Sequence, residues 1–408
     1  MAVTEARTSR PRVTPEVADL VDTINETSVL DDLSECRGMP QSIYHSRDFY
    51  EFEKEAVFAR SWLAVGRHDQ VANPGDYFTI TVADDPLIVV NDDGVVRVMS
   101  NVCAHRSHLV ADGPGHTDTT LRCPLHYWSY NLSGELVAAP EMSNTVPLAE
   151  LREISCLPQL KVEMWQGWIF ANFDTDAEPL APTLGKLDKE MEGYHLDEMV
   201  IAGSYDFPHL PWNWKLMLEN VIEPYHTGFL HKGPHDWAPL RLLGFDESFD
   251  AAVDGAIYHP AGTTHADGGF NSLGRSLFPI LPDLSEEQRN RVLFGCIPPL
   301  YLCGLCSDYV FWIHVLPEDA DHILLRVEIL VPPTHLQVPN FELLLRSTME
   351  GHQVFVEQDV EAVTKLQQGA RSRLAQRGPY SHLERTLIQL NQWLNRRYQD
   401  YVGQTAGE

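Results

Sequence analysis

The stretch that most constrains this chain runs from Cys103-Ala-His105 to Cys123-Pro-Leu-His126. It holds two short segments, each with one thiolate and one imidazole, separated by seventeen residues. Four such donors form a closed set, which requires two loops to face each other across a bound group. Zinc fingers and ribbons also use two cysteines and two histidines, but they usually pair Cys with Cys in one knuckle and His with His in the other. Here each knuckle is mixed. The pattern suits a [2Fe-2S] cluster in which one iron takes both cysteines and the other both histidines, so that each loop serves both irons. Tyr127 and Trp128 follow the second pair and provide the bulk that shields a cluster from water and fixes its potential. Structural zinc is the alternative that the donor set leaves open.

The rest of the composition agrees with a metalloprotein of two domains. A chain of 408 residues, 44% of them apolar, exceeds what one core usually serves and can fill two. The 30 basic residues stand against 58 acidic ones, a formal charge of -28 that repels nucleic acid and anionic membranes. The first thirty residues mix Arg7, Arg10 and Arg12 with Asp19, Asp22 and Glu26 and hold no long apolar core, so neither a secretory signal nor a membrane anchor is expected. Seven cysteines, two of them in the motif, suit a reducing compartment, and the expected location is cytoplasmic. Cys303-Gly-Leu-Cys306 is a nominal C-x-x-C, but its apolar setting reads as buried strand thiols.

Taken in order, residues 1–45 read as an N-terminal arm, with one helix after Pro15 where Val17, Leu20, Val21 and Ile24 fall at helical spacing. A short helix is expected from Tyr44. Residues 46–175 then turn to short alternating runs at Tyr77–Val82, Pro86–Val90 and Val95–Met99, with Asp92-Asp93-Gly94 as a hairpin turn. Leu160–Trp165 and Gly167–Phe173 close this small antiparallel domain, and Pro179 and Pro182 mark its boundary. Residues 176–408 mix the two classes, so the fold class is α+β. A helix is expected over Trp214–Glu223, strands over Tyr309–Leu316 and Ile323–Val331, and long helices over Phe341–Gln368 and His382–Tyr398.

On the two loops the chain resembles the Rieske non-haem iron oxygenases, whose loops commonly read CxHRG and CPYHGW. This chain has Ser107 and Tyr127 where glycine is common and Leu125 where tyrosine is common. None of the three is a ligand, so the departures bear on packing and potential. The resemblance implies a small antiparallel-β Rieske [2Fe-2S] domain, with the cluster on Cys103, His105, Cys123 and His126, joined to a helix-grip-like α+β catalytic domain.

The second constellation is Glu219-Asn220-Val-Ile-Glu223-Pro-Tyr-His226-Thr-Gly-Phe-Leu-His231. On a continuous helix, positions 223, 226 and 231 would fall at about 0°, 300° and 80°, on one face, provided the helix runs on past Pro224. Two imidazoles in one segment suit iron, and one further carboxylate would complete the facial triad of non-haem Fe(II) oxygenases, with positions left open for oxygen. Trp212-Asn-Trp-Lys, then Glu-Asn, then Glu-Pro-Tyr-His-x4-His is similar to the catalytic signature of the same family, in the expected order after the cluster motif. Family members carry the acidic ligand on a long helix before a Gln-rich turn. Here Asp359, followed by Leu366-Gln-Gln-Gly369, matches, with Glu357 in reserve. His209, His235, His265 and His314 read as ordinary or substrate-pocket residues. Trp237, Phe245, Tyr258, Phe270, Phe278, Phe294 and Trp312 are candidates for an aromatic pocket wall.

The family resemblance implies a terminal oxygenase that uses O2 to hydroxylate an aromatic or related small organic molecule, with mono-oxygenation or oxidative N-demethylation of an amine or quaternary ammonium compound as the alternative. A Rieske electron carrier without oxygen chemistry is the reading of a different class. No G-x-G-x-x-G follows a strand and no ferredoxin cysteine run occurs, so electrons from NAD(P)H would arrive through a separate reductase, with or without a ferredoxin. The resemblance further implies a homotrimer or an α3β3 assembly. Glu223 would then bridge the iron of one subunit and the cluster of the next, and Asn220 joins it in the catalytic set.

Overall fold

The computed structural model describes residues 13–405, so the first twelve residues of the expected arm lie outside the described part. The chain opens with α1 (Pro15–Thr27) and α2 (Arg47–Ala56). The Thr14 hydroxyl caps α1 and Pro15 begins it, the combination that stops a helix from fraying at its start. Two compact units follow from the contacts: Ala59–Glu178, and a second made of the segment ending at Phe58 together with the chain from Pro179. Among the described residues no helix is long and apolar enough to cross a membrane.

The first unit holds β1 (Leu63–Arg67), β2 (Asp76–Val82), β3 (Asp85–Asp92), β4 (Val95–Ser100), β5 (Gly115–His116), β6 (Leu121–Arg122), β7 (Ser129–Tyr130), β8 (Leu136–Ala138), the short helix α3 (Leu148–Ile154), β9 (Lys161–Trp165) and β10 (Trp168–Asn172). These form three small sheets, ordered β4-β3-β2-β5, β6-β7-β8 and β1-β10-β9. The Asp92-Asp93-Gly94 turn behaves as its sequence indicates. Asp92 pairs with Val95, and the two residues between, Asp93 at φ 50° and Gly94 at φ 90°, take the left-handed conformations of a two-residue hairpin. The core packs Ile88, Val90 and Met99 against Trp128, Tyr130 and Leu136, and it includes both Cys103 and Cys123.

The second unit continues with α4 (Gly185–Met191), β11 (Val200–Leu210), α5 (Trp214–Ile222), β12 (Ile257–Gly262), α6 (Glu286–Arg289), β13 (Arg291–Ile297), β14 (Tyr301–Leu305), β15 (Val310–Pro317), β16 (Ile323–Val331), α7 (Phe341–Ala370) and α8 (Arg385–Thr405). Its sheet is antiparallel, in the order β11-β16-β15-β14-β13-β12. Both α5 and α7 pack on it, and they also touch each other. Cys303 and Cys306 are fully buried free thiols, as their apolar run indicates.

Two expectations are corrected here. The sequence division at residue 46 places α2 with the cluster domain, but in the structure α2 belongs to the second unit, because Glu53 is buried there. One Glu53 oxygen accepts from Lys215 Nζ at 2.9 Å and Trp214 Nε1 at 3.1 Å, and the other accepts from Tyr398 at 2.6 Å. A buried ammonium demands such a partner. The expected Gln-rich turn at 366–369 is also absent, since α7 stays helical to Ala370. Gln367 is buried, where it accepts from the Asn213 amide at 3.0 Å and donates to the Tyr44 carbonyl at 2.8 Å, so it pins α7 to the start of α5.

Candidate functional site

The Cys103 and Cys123 loops share one backbone. In each, the cysteine N–H donates to the carbonyl five residues on (His108 and Trp128, both 2.9 Å), and the residue four on donates back to the cysteine carbonyl (Ser107 and Tyr127, both 3.0 Å). That fourth residue takes a left-handed φ, 56° at Ser107 and 61° at Tyr127. Glycine, which the resembled family's loop pattern has at these two positions, would adopt this conformation without strain. The cysteines are each 2% exposed, while His105 is half-buried and His126 exposed, so the thiols point into the core and the imidazoles toward the rim. The His105 and His126 rings lie 4.7 Å apart at 75°, and Trp128 stacks on His105 at 4.8 Å. Tyr130 stands behind Cys103, its hydroxyl 3.3 Å from Sγ.

This donor set fits a cluster. Burial pushes the Cys123 thiol up, and Cys103 beside it adds to the effect, an arrangement that opposes thiolate formation until a cation lies between them. His105 Nδ1 is buried with no hydrogen-bond partner among the described residues, and a metal would satisfy it. Burial, then His126 and Arg106, hold the His105 pKa down and keep its ring in the neutral, ligating form.

In the second unit α5 stops at Ile222, because Glu223 precedes a proline and takes an extended conformation (φ -99°, ψ 106°). The one-face helical argument for 223, 226 and 231 therefore does not hold. The loop brings the residues together instead. His226 opens a single 3-10 turn, His226–Gly228, and its ring meets that of His231 at 5.1 Å and 75°. Asp359, from the middle of α7, completes the group: its Oδ1 lies 3.2 Å from His231 Nε2 and 3.7 Å from His226 Nε2. One donor atom from each of the three falls within 4.8 Å of the others. Glu357 is exposed and takes no part. Asn220 is half-buried on α5 and makes no hydrogen bond to any of the three.

The ring partners decide what these atoms can do. His226 Nδ1 lies 2.8 Å from Glu223 Oε2, and the other Glu223 oxygen accepts from the His226 amide at 2.9 Å. His231 Nδ1 lies 2.7 Å from Gln358 Oε1. Each acceptor fixes the proton on Nδ1, so both Nε2 lone pairs face inward. Asp359 Oδ1 accordingly makes no hydrogen bond although it is buried beside them. Three lone-pair atoms converging in a site where His231 is buried and His226 and Asp359 half-buried repel one another unless a cation joins them, so the residues fit a metal ion. Burial lowers the pKa of His226, but the Glu223 hydrogen bond and the charges of Glu223 and Asp359 outweigh it and leave the value raised.

Beside this group lies a small cavity of about 40 Å³, lined by Val221, Pro224, Thr227, His231, His235, Leu243, His259, Ala261, Phe270 and Phe294. Of the aromatic candidates, Phe270 and Phe294 form its wall. Trp237 packs on His235 and Phe270 from behind, and Phe245 on His259. Tyr258 and Trp312 do not line it, and Phe278 packs on Tyr309 and Phe341. His235 lines the cavity, whereas His209 stacks on His322 at the surface and His314 on Trp312 in the sheet. Sequence reasoning missed Gln358 and His259. The strand alternation Ile257, His259, Ala261 was the signal available for His259.

Comparison with known proteins agrees with this geometry. Residues 188–400 match the family model of the ring hydroxylating alpha subunit (catalytic domain), and residues 61–159 match the Rieske [2Fe-2S] domain. The chain is 27% identical to the carnitine monooxygenase oxygenase subunit of Acinetobacter pittii, over 82% of this chain and 85% of that one. It is 34% identical to the benzene 1,2-dioxygenase subunit alpha of Pseudomonas putida, over 46% and 42%. Among solved structures, a quaternary ammonium Rieske monooxygenase superposes with a TM-score of 0.76 at 22% identity, covering 90% of this chain and 97% of that one. With a catalytic-domain match over half its length, and with both donor groups in place, the chain belongs to the ring-hydroxylating alpha subunits of the Rieske non-haem iron oxygenases.

Proposed function

We propose that Cys103, Cys123, His105 and His126 hold the [2Fe-2S] cluster and that His226, His231 and Asp359 hold the mononuclear iron of a terminal oxygenase that hydroxylates an aromatic or related small organic molecule. When bound, the cluster supplies single electrons, and the ferrous iron supplies open positions for O2. Electrons come from a separate reductase or ferredoxin, and the substrate is a small molecule. The observation that carries the residue assignment is the convergence of two Nε2 lone pairs and a carboxylate oxygen beside a largely apolar cavity. Glu223 and Gln358 hold the rings in the ligating tautomer, while Phe270 and Phe294 exclude water from the side where substrate would lie. A carrier without oxygen chemistry would need no second donor triad.

The proposal extends to the assembly, a homotrimer or α3β3. Each Glu223 oxygen spends one lone pair on His226, so a second lone pair is free to accept from the imidazole of His126 of the partner subunit. Inter-subunit electron transfer is described for the solved quaternary ammonium Rieske monooxygenase, which supports this arrangement. Asn220 stays in the catalytic set on its place in the Glu-Asn motif. A second substrate class, a quaternary ammonium compound, is favoured by the carnitine monooxygenase relative, whose match spans 82% of the chain.

The test is reductant-dependent O2 uptake by the iron-loaded protein with its reductase, across aromatic hydrocarbons, phenols, amines and quaternary ammonium compounds, with product quantified. Uptake matched by a hydroxylated or demethylated product is expected for one class. Cluster reduction without any product would leave only an electron carrier.

A further inference from the structure

Within that oxygenase reading, the cavity wall carries a more specific message. His259 projects from β12 and lines the cavity together with His231, yet it is 2% exposed and neither ring nitrogen finds a partner of hydrogen-bond geometry among the described residues. Burial pushes its pKa down to about 3, with the Pro260 carbonyl opposing, so the ring is neutral and presents one N–H and one lone pair. The ring is held rigidly, stacked on Phe294 at 5.3 Å and 21° with Phe245 at 6.2 Å. A buried polar side chain left unsatisfied at a cavity wall is retained at a cost, and a ligand group that completes its hydrogen bonds removes that cost.

The remaining wall says what such a ligand looks like. His231 and His235 are the other polar rings: His231 is committed to Gln358 and the metal group, and only His259 has both ring nitrogens buried and unpaired among the described residues. Val221, Leu243, Ala261, Phe270 and Phe294 are apolar, and the Thr227 hydroxyl already donates to the Pro224 carbonyl. Among the described residues no lysine, arginine, aspartate or glutamate lines the cavity. Its volume, about 40 Å³, is below the roughly 150 Å³ of a cavity that closes over benzene, so a substrate as large as one ring enters by displacing wall side chains. We propose that His259 is the specificity-determining residue of this site, and that the substrate is a small uncharged molecule, no larger than a single aromatic ring, that presents a hydroxyl or carbonyl oxygen to His259.

The test uses near-isosteric probes. Phenol and toluene differ by a hydroxyl against a methyl group, and phenyltrimethylammonium adds a charge. Their binding to the iron- and cluster-loaded protein is measured by anaerobic titration calorimetry for the wild type, His259→Phe and His259→Gln. The wild type is expected to bind phenol at least tenfold tighter than toluene, and phenyltrimethylammonium more weakly than either. His259→Phe should bring phenol and toluene within twofold of each other by weakening phenol alone. His259→Gln, which can still donate, should keep part of the preference. Equal binding of phenol and toluene by the wild type, an unchanged ratio in His259→Phe, tightest binding of the cation, or no binding of any probe would each overturn the proposal. The wild-type ratio decides the matter even if His259→Phe does not fold. O2 uptake with phenol bound is read separately: its absence would count against the oxygenase reading, whatever the binding ratio.

Discussion

The Cys103 and Cys123 loops supply four donors from two turns with the same backbone, close in sequence and rooted in one small core. His226, His231 and Asp359 are assembled differently: Gln358, which orients His231, lies 127 positions away from it, on another element. The first site is fixed by local hydrogen bonds and two buried cysteines. The second depends on the packing of α5 and α7, on Gln367 and on the buried Glu53–Lys215 pair. Damage to long-range packing should therefore reach the histidine site first, and damage to turn geometry should reach the cluster loops.

The largest effect expected is all-or-none. Cys103→Ser and His226→Ala each abolish turnover, one through the cluster and the other through the iron. If the proposed trimer pairs sites across subunits, the two variants co-assembled and verified by differential tags should regain part of the activity, because an interface then joins an intact cluster site to an intact iron site. Adding Glu223→Gln to the subunit that keeps its iron should remove the rescue. Inactive mixed trimers would place both sites of a working pair in one chain.

Next in size is Glu53→Ala, which strands the Lys215 ammonium in the core, where burial already lowers its pKa against the pull of Glu53. The second unit should lose roughly 3–5 kcal/mol of stability. Denaturant titration followed by tryptophan fluorescence, with the cluster absorbance recorded in parallel, should show an early transition that leaves the cluster colour in place. Coincident loss of both signals would show that the two regions are not separable.

A smaller effect is expected at Gln358→Ala, which frees the His231 ring to turn and lose its tautomer. Iron affinity at the histidine site should fall about 10–100-fold, with the cluster unaffected. Competition with a ferrous chelator measures it, and wild-type affinity would remove Gln358 from the site.

The smallest effect concerns the turns. Ser107 sits at φ 56°, where a side chain costs about 1–2 kcal/mol, and glycine gives back about 0.4–1 kcal/mol through its freer unfolded chain. Ser107→Gly should therefore stabilise the first unit by on the order of 0.5 kcal/mol, and Ser107→Val should destabilise it. The midpoint of cluster bleaching in denaturant reports the sign, and a stabilising valine would refute the strain argument.

The same contrast explains what could be read from the sequence. The mixed Cys–His loops and the Asp93-Gly94 hairpin were legible because their information is local. The helices after Pro15 and from Phe341, and the strand Ile323–Val331, were legible from periodicity. The placement of α2 was not, since nothing near Glu53 in sequence names Lys215 and Tyr398 as its partners. His226 and His231 do not share a helical face because Pro224 holds Glu223 extended and ends α5 at Ile222, a local effect that the sequence carries. Asp359 needed the family resemblance. His259 and Gln358 went unread because their roles follow from cavity position and ring orientation, which only tertiary structure sets.

The most direct measurement is the iron and acid-labile sulfide content of the wild type, Cys103→Ser and Asp359→Ala after loading with Fe(II) and sulfide. The wild type should hold about three irons and two sulfides per chain. Asp359→Ala should lose one iron with sulfide unchanged, and Cys103→Ser should lose both sulfides and their irons while keeping the third. Zinc in place of iron, or an Asp359→Ala protein with undiminished iron, would contradict the assignment of two separable iron sites.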